Sequence, residues 1–215
     1  MLQHVWERTC QARYLTDVVI ATDDERIRAA AENFRARVVM TRSDHASGTD
    51  RVAEAASASQ AQIVVNVQGD EPMIDPAAID AAILGLLDDD MGEVPMGTIK
   101  KRIERPADIQ DPNVVKVVTD AQGNALYFSR SPIPFVRDEQ TVYFKHIGLY
   151  VYRRDFLLAY PDLPVGPLER AERLENCALS KTGTRFAWWK PSMNPWASIR
   201  PKIGNRSRSY SKNQW

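Results

Sequence analysis

The carboxylate best placed for chemistry is Asp70, in the segment NVQGDEP at 66–72. It follows a β-branched run, IVVNV at 63–67, of the kind buried in a parallel sheet, and open α/β sheets bind ligands beyond the ends of such strands. A carboxylate there could hold a divalent ion, because Mg2+ takes one or two carboxylates together with phosphate oxygens. Gly69, Asp70 and Pro72 could equally do no more than turn the chain, and position alone leaves the two readings level. The loop HASGTDR at 45–51 is a second candidate. Gly48 lets a backbone approach a ligand closely, Ser47 and Thr49 offer hydrogen bonds to a base or a ribose, and Arg51 supplies charge. Taken by itself this loop is better explained by Thr49 capping the next helix. A third group lies in YFSRSPIP at 127–134 and KHIGLYVYR at 145–153. Alternation puts His146, Gly148 and Tyr150 on one strand face with Lys145 beside them, and Arg130 ends another strand. A lone strand histidine is usually structural. Arg130, His146 and Tyr150 together, however, suit a hydroxylated acid, since the planar guanidinium fork pairs with a carboxylate.

Strand and helix patterns explain how these groups are presented. Leu2, Val5, Trp6 and Thr9 recur at helical spacing. DVVIAT at 17–22 reads as a buried strand, and TDDER then starts a helix capped by Thr22 or Asp23, with Ile27, Ala30, Ala31 and Phe34 inward. RVVM at 37–40 closes a strand, helix, strand unit. A helix from about Asp50, the strand at 63–67 and a helix at 76–87 repeat the pattern, the last with Ile79, Ile83, Leu84 and Leu87 inward. A strand at 96–100, a hairpin of 114–119 and 125–128 around DAQGN, and a strand at 143–152 follow. Helices at 154–159 and 168–177 complete the series. The expected fold is α/β, a mixed and mostly parallel sheet with helices on both faces. The tail from Lys181, with Trp188, Trp189, Trp196 and Trp215 among scattered Pro, Ser and Arg, shows neither period and is expected to stay unstructured. The chain thus divides into an α/β domain at 1–180 and a tail at 181–215.

The totals narrow the function class. Lys plus Arg and Asp plus Glu are 28 each in 215 residues, so no global field recruits nucleic acid or a membrane surface. The basic tail IRPKIGNRSRSYSKNQW could contact nucleic acid, but unpatterned disorder explains it with less. No apolar run nears the roughly 18 residues of a membrane span. Cys10 and Cys177 stand far apart, and a reducing cytoplasm is the expected setting.

ATDDERI, MTRSDHASGTDR, NVQGDEP, DPNVVKVV, ALYFSRSPIP, HIGLYVYR and GPLERAERLE occur in this order, and from Met1 to about Glu175 the chain resembles the CMP-Kdo synthetases. In that family the anomeric hydroxyl of Kdo (3-deoxy-manno-octulosonate) attacks the α-phosphate of CTP, with Mg2+ required, and the CMP-Kdo formed feeds lipopolysaccharide synthesis. The resemblance implies a nucleotide-diphospho-sugar transferase-like fold and a homodimer. It makes Asp70 the catalytic metal ligand, sets Gln68 toward the sugar or nucleotide, and puts Ser47, Gly48, Thr49 and Arg51 beside the cytidine. Arg130, His146, Tyr150 and Glu175 would line the Kdo site.

Two departures from the family pattern are expected to impair this chain. Members open with a strand and a loop resembling IPAR-x-x-S-x-R-x-P-G-K-P that holds the triphosphate, and here Met1 falls just beyond it, so the first strand is expected to be missing. Members also carry GVDTPEDLE, whose Asp is the second metal ligand, where this chain reads LENCALSKTGTRFAWW onward. A back-translation of 189–202 with freely chosen synonymous codons, read in a shifted frame, returns VETEYESMGVDTPE, which points to an out-of-frame tail. Two alternatives stand beside the Kdo reading: a related enzyme such as a sialic-acid-activating nucleotidyltransferase, and a non-catalytic remnant that keeps sugar binding or dimerisation.

Overall fold

The computed structural model describes residues 1–89, 92, 94–137 and 141–174, together with the strand Phe186–Trp189. Helix α1 (Leu2–Thr9) buries Val5 and Thr9 and sets Trp6 5.5 Å from the ring of Phe34. Strands β1 (Val19–Thr22) and β2 (Arg37–Met40) pair in parallel around α2 (Glu25–Asn33), as the sequence pattern requires. The α2 cap, however, is Asp24, whose side chain accepts from the Arg26 N–H at 2.7 Å. Thr22 is already committed, its hydroxyl accepting from the Asp24 N–H, so the first side chain left to cap is Asp24. Ala31 is fully buried, but Ile27 and Ala30 are exposed, because a two-stranded sheet is too narrow to cover the whole expected helix face.

The larger unit is built from α3 (Gly48–Ser57), β3 (Ile63–Val67), α4 (Pro76–Leu87), β4 (Met96–Arg102), α5 (Pro106–Gln110), β5 (Lys116–Thr119), β6 (Ala125–Ser129), β7 (Phe144–Arg153), α6 (Arg154–Ala159), a 3-10 turn at Tyr160–Asp162, α7 (Pro167–Glu172) and β8 (Phe186–Trp189). Its six strands run in the order β6-β5-β7-β4-β8, with β3 on β7. The sheet is mixed, but it is not mostly parallel. The long strand β7 is intercalated antiparallel against β3, β4 and β5, and among the described residues only β4–β8 and β1–β2 pair in parallel. Because β3 and β4 are each antiparallel to β7, they share a direction, and β7 accounts for most of the difference from the expected pattern. Strand β8 also departs from the expectation of a tail without structure: Met96 to Ile99 pair in register with Phe186 to Trp189. The rest of the tail lies outside the described residues. Helix α7 stops at Glu172 rather than continuing toward Cys177, since Arg173 turns into the left-handed region (φ 52°) and its N–H returns to the Glu169 carbonyl.

Helices cover both faces of the sheet. On one face, α4 presents Ile79, Ala82, Ile83 and Leu86 to Ile99, Leu149 and Val151. Leu86 takes the place expected of Leu87, which is 51% exposed, because the buried stripe runs at spacings of three and four from Ile79. Each fully buried Leu or Ile contributes about 1.5–3 kcal/mol relative to exposure. On the other face, Ala53 and Ala56 of α3 and Leu157 of α6 pack on Met96, Tyr152 and Tyr160. These helices cover the apolar half of that face. The polar half, carrying Gln68, His146, Gly148 and Tyr150, stays partly accessible.

Candidate functional site

The polar half of this face is organised by Thr98. Its hydroxyl donates to the Leu149 carbonyl at 2.7 Å and lies 3.0 Å from His146 Nε2. A hydroxyl has one proton, so with that proton on Leu149 the nitrogen must be the donor, which fixes the Nε2–H tautomer and leaves Nδ1 as an acceptor. Burial pushes the His146 pKa down to about 3, so the ring is neutral at physiological pH. Tyr150 lies 5.3 Å from the His146 ring and Phe128 packs against it edge-on at 5.4 Å. Tyr150 faces Asn66 across the β3–β7 ladder and Thr98 across the β4–β7 ladder. The β4–β7 register shifts between Thr98 and Ile99, opposite Gly148. Such bulges re-aim side chains and gather near functional sites.

Gly148 has a second role. A Cβ there would lie 3.1 Å from Gln68 Cγ and 3.6 Å from Glu71 Oε1, so the missing side chain is what lets the QGDE turn close over β7. Asp70 stands exposed at the end of β3. Beside it, burial raises the Glu71 pKa, and the Asp70 charge adds to that effect, while the Gly148 N–H and the Lys145 charge work the other way. No group of three or more His, Cys, Asp or Glu that could hold a metal occurs among the described residues. Two adjacent, mutually repelling carboxylates fit a cation that draws its remaining ligands from phosphate and water, the habit of Mg2+.

The nucleotide candidates form the start of α3. Ser47 is its cap, its hydroxyl accepting from the Asp50 N–H at 3.1 Å, whereas capping had been expected of Thr49, which is buried. Nothing lies within 4 Å of a Cβ added at Gly48, so space stands open there. Arg51 bonds Thr41 Oγ1 at 2.6 Å and pairs with Asp23 at 3.1 Å, tying α3 to the ends of β1 and β2. The loop is also stapled by His45 on Glu54, and that bond, followed by the Arg42 N–H, holds the Glu54 carboxyl below its usual range.

Arg130 is anchored at the end of β6. Its Nε donates to the Glu172 carbonyl at 2.9 Å and its Nη1 to the Pro112 carbonyl at 3.0 Å. The Glu172 side chain accepts from Ser129 Oγ at 2.6 Å, Tyr127 OH at 3.0 Å and the Arg130 N–H at 3.0 Å. Burial alone would raise the Glu172 pKa, but the hydrogen bonds from Ser129, Arg130 and Tyr127 outweigh it and hold the carboxyl below its usual range.

The structure therefore brings His146, Tyr150, Gln68 and Asp70 to one polar sheet face and the turn beyond it. Arg130 is bonded to α7 and the 111–114 turn, and Ser47, Gly48, Thr49 and Arg51 form a separate edge at the start of α3. Glu175 lies outside the described residues. Sequence reasoning passed over Thr98, Asn66, Glu71, Lys116 and Glu172. Only Glu71, adjacent to Asp70, carried a signal; the others read as ordinary strand and helix positions. Asn66 is 7% exposed, and its Nδ2 finds no acceptor among the described residues.

A mixed α/β sheet with carboxylates beyond a strand end and a polar face carrying Gln68, His146 and Tyr150 fits the nucleotidyltransferase class of protein. The family described as Cytidylyltransferase matches residues 1–186, beyond Glu175 and into the stretch read as tail. The 3-deoxy-manno-octulosonate cytidylyltransferase of Solibacter usitatus (strain Ellin6076) is 66% identical over 188 residues, covering 86% of this chain and 74% of that protein. The enzyme of the same name from Geobacter sulfurreducens is 52% identical over 198 residues, covering 86% and 78%. A structure of CMP:2-keto-3-deoxy-manno-octonic acid synthetase complexed with CTP superposes with a TM-score of 0.82 at 42% identity, over 87% of this chain and 77% of that one. A cytidylyltransferase from Leptospira borgpetersenii, at 15% identity and a TM-score of 0.54, shares the fold. This chain belongs to the cytidylyltransferase family, among the 3-deoxy-manno-octulosonate cytidylyltransferases.

Proposed function

We propose that the site transfers CMP from CTP to Kdo. The sugar hydroxyl forms a bond to the α-phosphorus and loses its proton, while the bond from that phosphorus to the bridging oxygen breaks and pyrophosphate leaves. The observation that carries this reading is the paired polar face: neutral His146, Tyr150 and Gln68 beside a strand-end carboxylate, in a chain 66% identical to a protein of that name. His146 in the Nε2–H tautomer offers Nδ1 as an acceptor for a sugar hydroxyl, and Arg130 keeps its Nη2 N–H groups for the sugar carboxylate. Asp70, with Glu71 beside it, would hold Mg2+, which when bound neutralises phosphate charge. Phosphoryl transfer depends mainly on positioning and charge, so the chain's part is to orient the sugar against the nucleotide.

The test is which sugar acid supports pyrophosphate release from CTP, not the absolute rate. Kdo-dependent release, with Asp70→Asn reducing it by orders of magnitude, supports the reading. Preference for sialic acid, or release that ignores the sugar, overturns it.

A further inference from the structure

Arg130 is the one cation assigned to the sugar carboxylate, yet much of its guanidinium is committed to the protein. Nε is bound to the Glu172 carbonyl and Nη1 to the Pro112 carbonyl, so the fork is aimed by two main-chain oxygens from two different segments. Each of those oxygens has its own holder. The Glu172 backbone is fixed because its side chain accepts three hydrogen bonds, two from Tyr127 and Ser129 of β6 and one from the N–H of Arg130 just beyond it. The Pro112 carbonyl sits in a turn closed by the Val114 N–H on the Asp111 carbonyl, and Lys116 grips that turn from within. Lys116 Nζ donates to the Asp111 carbonyl at 2.8 Å and to the Val114 carbonyl at 2.6 Å. Lys116 is 0% exposed, and a buried lysine is costly to the fold unless its ammonium is hydrogen-bonded, as it is here.

We propose that Glu172 and Lys116 are positioning residues that set the direction of Arg130, and through it the recognition of an acidic sugar's carboxylate. This rests on the reading of Arg130 given under the proposed function. Neither residue touches the sugar: Lys116 is sealed in the sheet, and both Glu172 oxygens are occupied by β6 and the Arg130 N–H. The two holders bond different nitrogens of Arg130, α7 at Nε and the 111–114 turn at Nη1, so losing either frees one nitrogen of the guanidinium. A guanidinium held at a single nitrogen swings, and a directed charge-assisted bond from Nη2 to a carboxylate requires it fixed.

Charge and position make opposite forecasts, which is what makes the idea testable. Removing the Glu172 carboxylate leaves Arg130 and Lys116 less neutralised, so on Coulomb grounds alone an incoming anion would bind more tightly. Positioning forecasts the reverse. In the full chain carrying Glu172→Ala, hydrogen exchange at the Arg130 Nε–H, followed by 15N NMR, should quicken at least tenfold. Kdo affinity by calorimetry should fall at least tenfold while CTP affinity stays the same. Glu172→Gln keeps an acceptor for Ser129 and Tyr127 and should fall between. Lys116→Met should weaken Kdo in the same selective way, although Met cannot reach the sugar. If Glu172→Ala does not fold, Ser129→Ala and Tyr127→Phe remove one bond each while keeping the charge, and should weaken Kdo roughly two- to fivefold. Unchanged or tighter Kdo binding in Glu172→Ala, or an equal loss for CTP, overturns the proposal. If the unaltered chain binds no Kdo, the proposed function fails instead, and the exchange measurement decides alone: slow Arg130 exchange in Glu172→Ala overturns the clamp, and fast exchange upholds it.

Discussion

Gly148→Ala probes the closest packing in the site. The new methyl would stand 3.1 Å from Gln68 Cγ, 3.6 Å from Glu71 Oε1 and 3.7 Å from Gln68 Cβ. Only the first distance is short, and the atom met is a side-chain carbon able to shift by a few tenths of an ångström, so the stability cost sits at the low end of the ~1–3 kcal/mol typical of overpacking. For a chain of this size about 1 kcal/mol lowers Tm by roughly 2–4 °C. The effect on the site should be larger than that on the fold. A 1 Å displacement of a positioning group can cost about 100-fold, and a shift of a few tenths should weaken sugar binding by roughly three- to fivefold. Thermal unfolding and Kdo calorimetry read the two effects separately. Gln68→Ala removes the Cγ that is struck, so Gly148→Ala in that background should lose its Tm penalty, a coupling of about 1 kcal/mol in the double-mutant cycle. A Tm penalty that persists without Gln68 Cγ, or Kdo binding untouched by Gly148→Ala, would refute the reasoning.

Other expectations follow from the same geometry. Because the folded His146 pKa is lowered to about 3 by burial, its contribution is fully present above the unfolded pKa of about 6.5 and is lost as pH falls through the window between them. His146→Asn should therefore flatten the acid limb of the stability profile by at most about 1.4 kcal/mol per pH unit, read from denaturant midpoints. Thr98→Val leaves the His146 N–H and the Leu149 carbonyl without their shared hydroxyl and should cost about 1–3 kcal/mol in urea unfolding. Ser47→Ala removes the α3 cap and should cost about 1 kcal/mol, with the loss seen as faster amide exchange in the first turn of α3.

The local elements were largely legible because their periods are strong: 63–67, 76–87 and the hairpin strands stand where alternation and helical spacing put them. Strand direction was legible only in the hairpin, where the turn at DAQGN implies the antiparallel pairing that β5 and β6 make. A buried run such as that of β7 reads the same whether its neighbours run with it or against it, and only the ladders of β3, β4 and β5 reveal the intercalation. The alternation that grouped His146 and Tyr150 survived, because a strand face is set by its own period and not by its neighbours. The supports around them were invisible for a different reason. Thr98 and Glu172 act by long-range hydrogen bonds, such as Thr98 to Leu149 or Glu172 to Ser129, and no local pattern encodes a partner more than 40 residues away. Lys116 bonds carbonyls only two and five residues away, but a lysine in a strand reads as solvated, not as a buried ammonium turned back onto its own turn. Cap choice likewise depended on which side chain an earlier turn had already used, as Thr22 and Asp24 show.

The central claim is that the polar half of the α3-side sheet face receives an acidic eight-carbon sugar. A titration of the full chain with Kdo, following the His146 ring nitrogens and the Tyr150 ring by NMR, tests it most directly. The account predicts saturable shifts at both rings, with the His146 Nε2–H retained and Nδ1 moving as it accepts a sugar hydroxyl, and no such shifts with sialic acid at equal concentration. Silent rings at saturating Kdo, or an equal response to sialic acid, would contradict it.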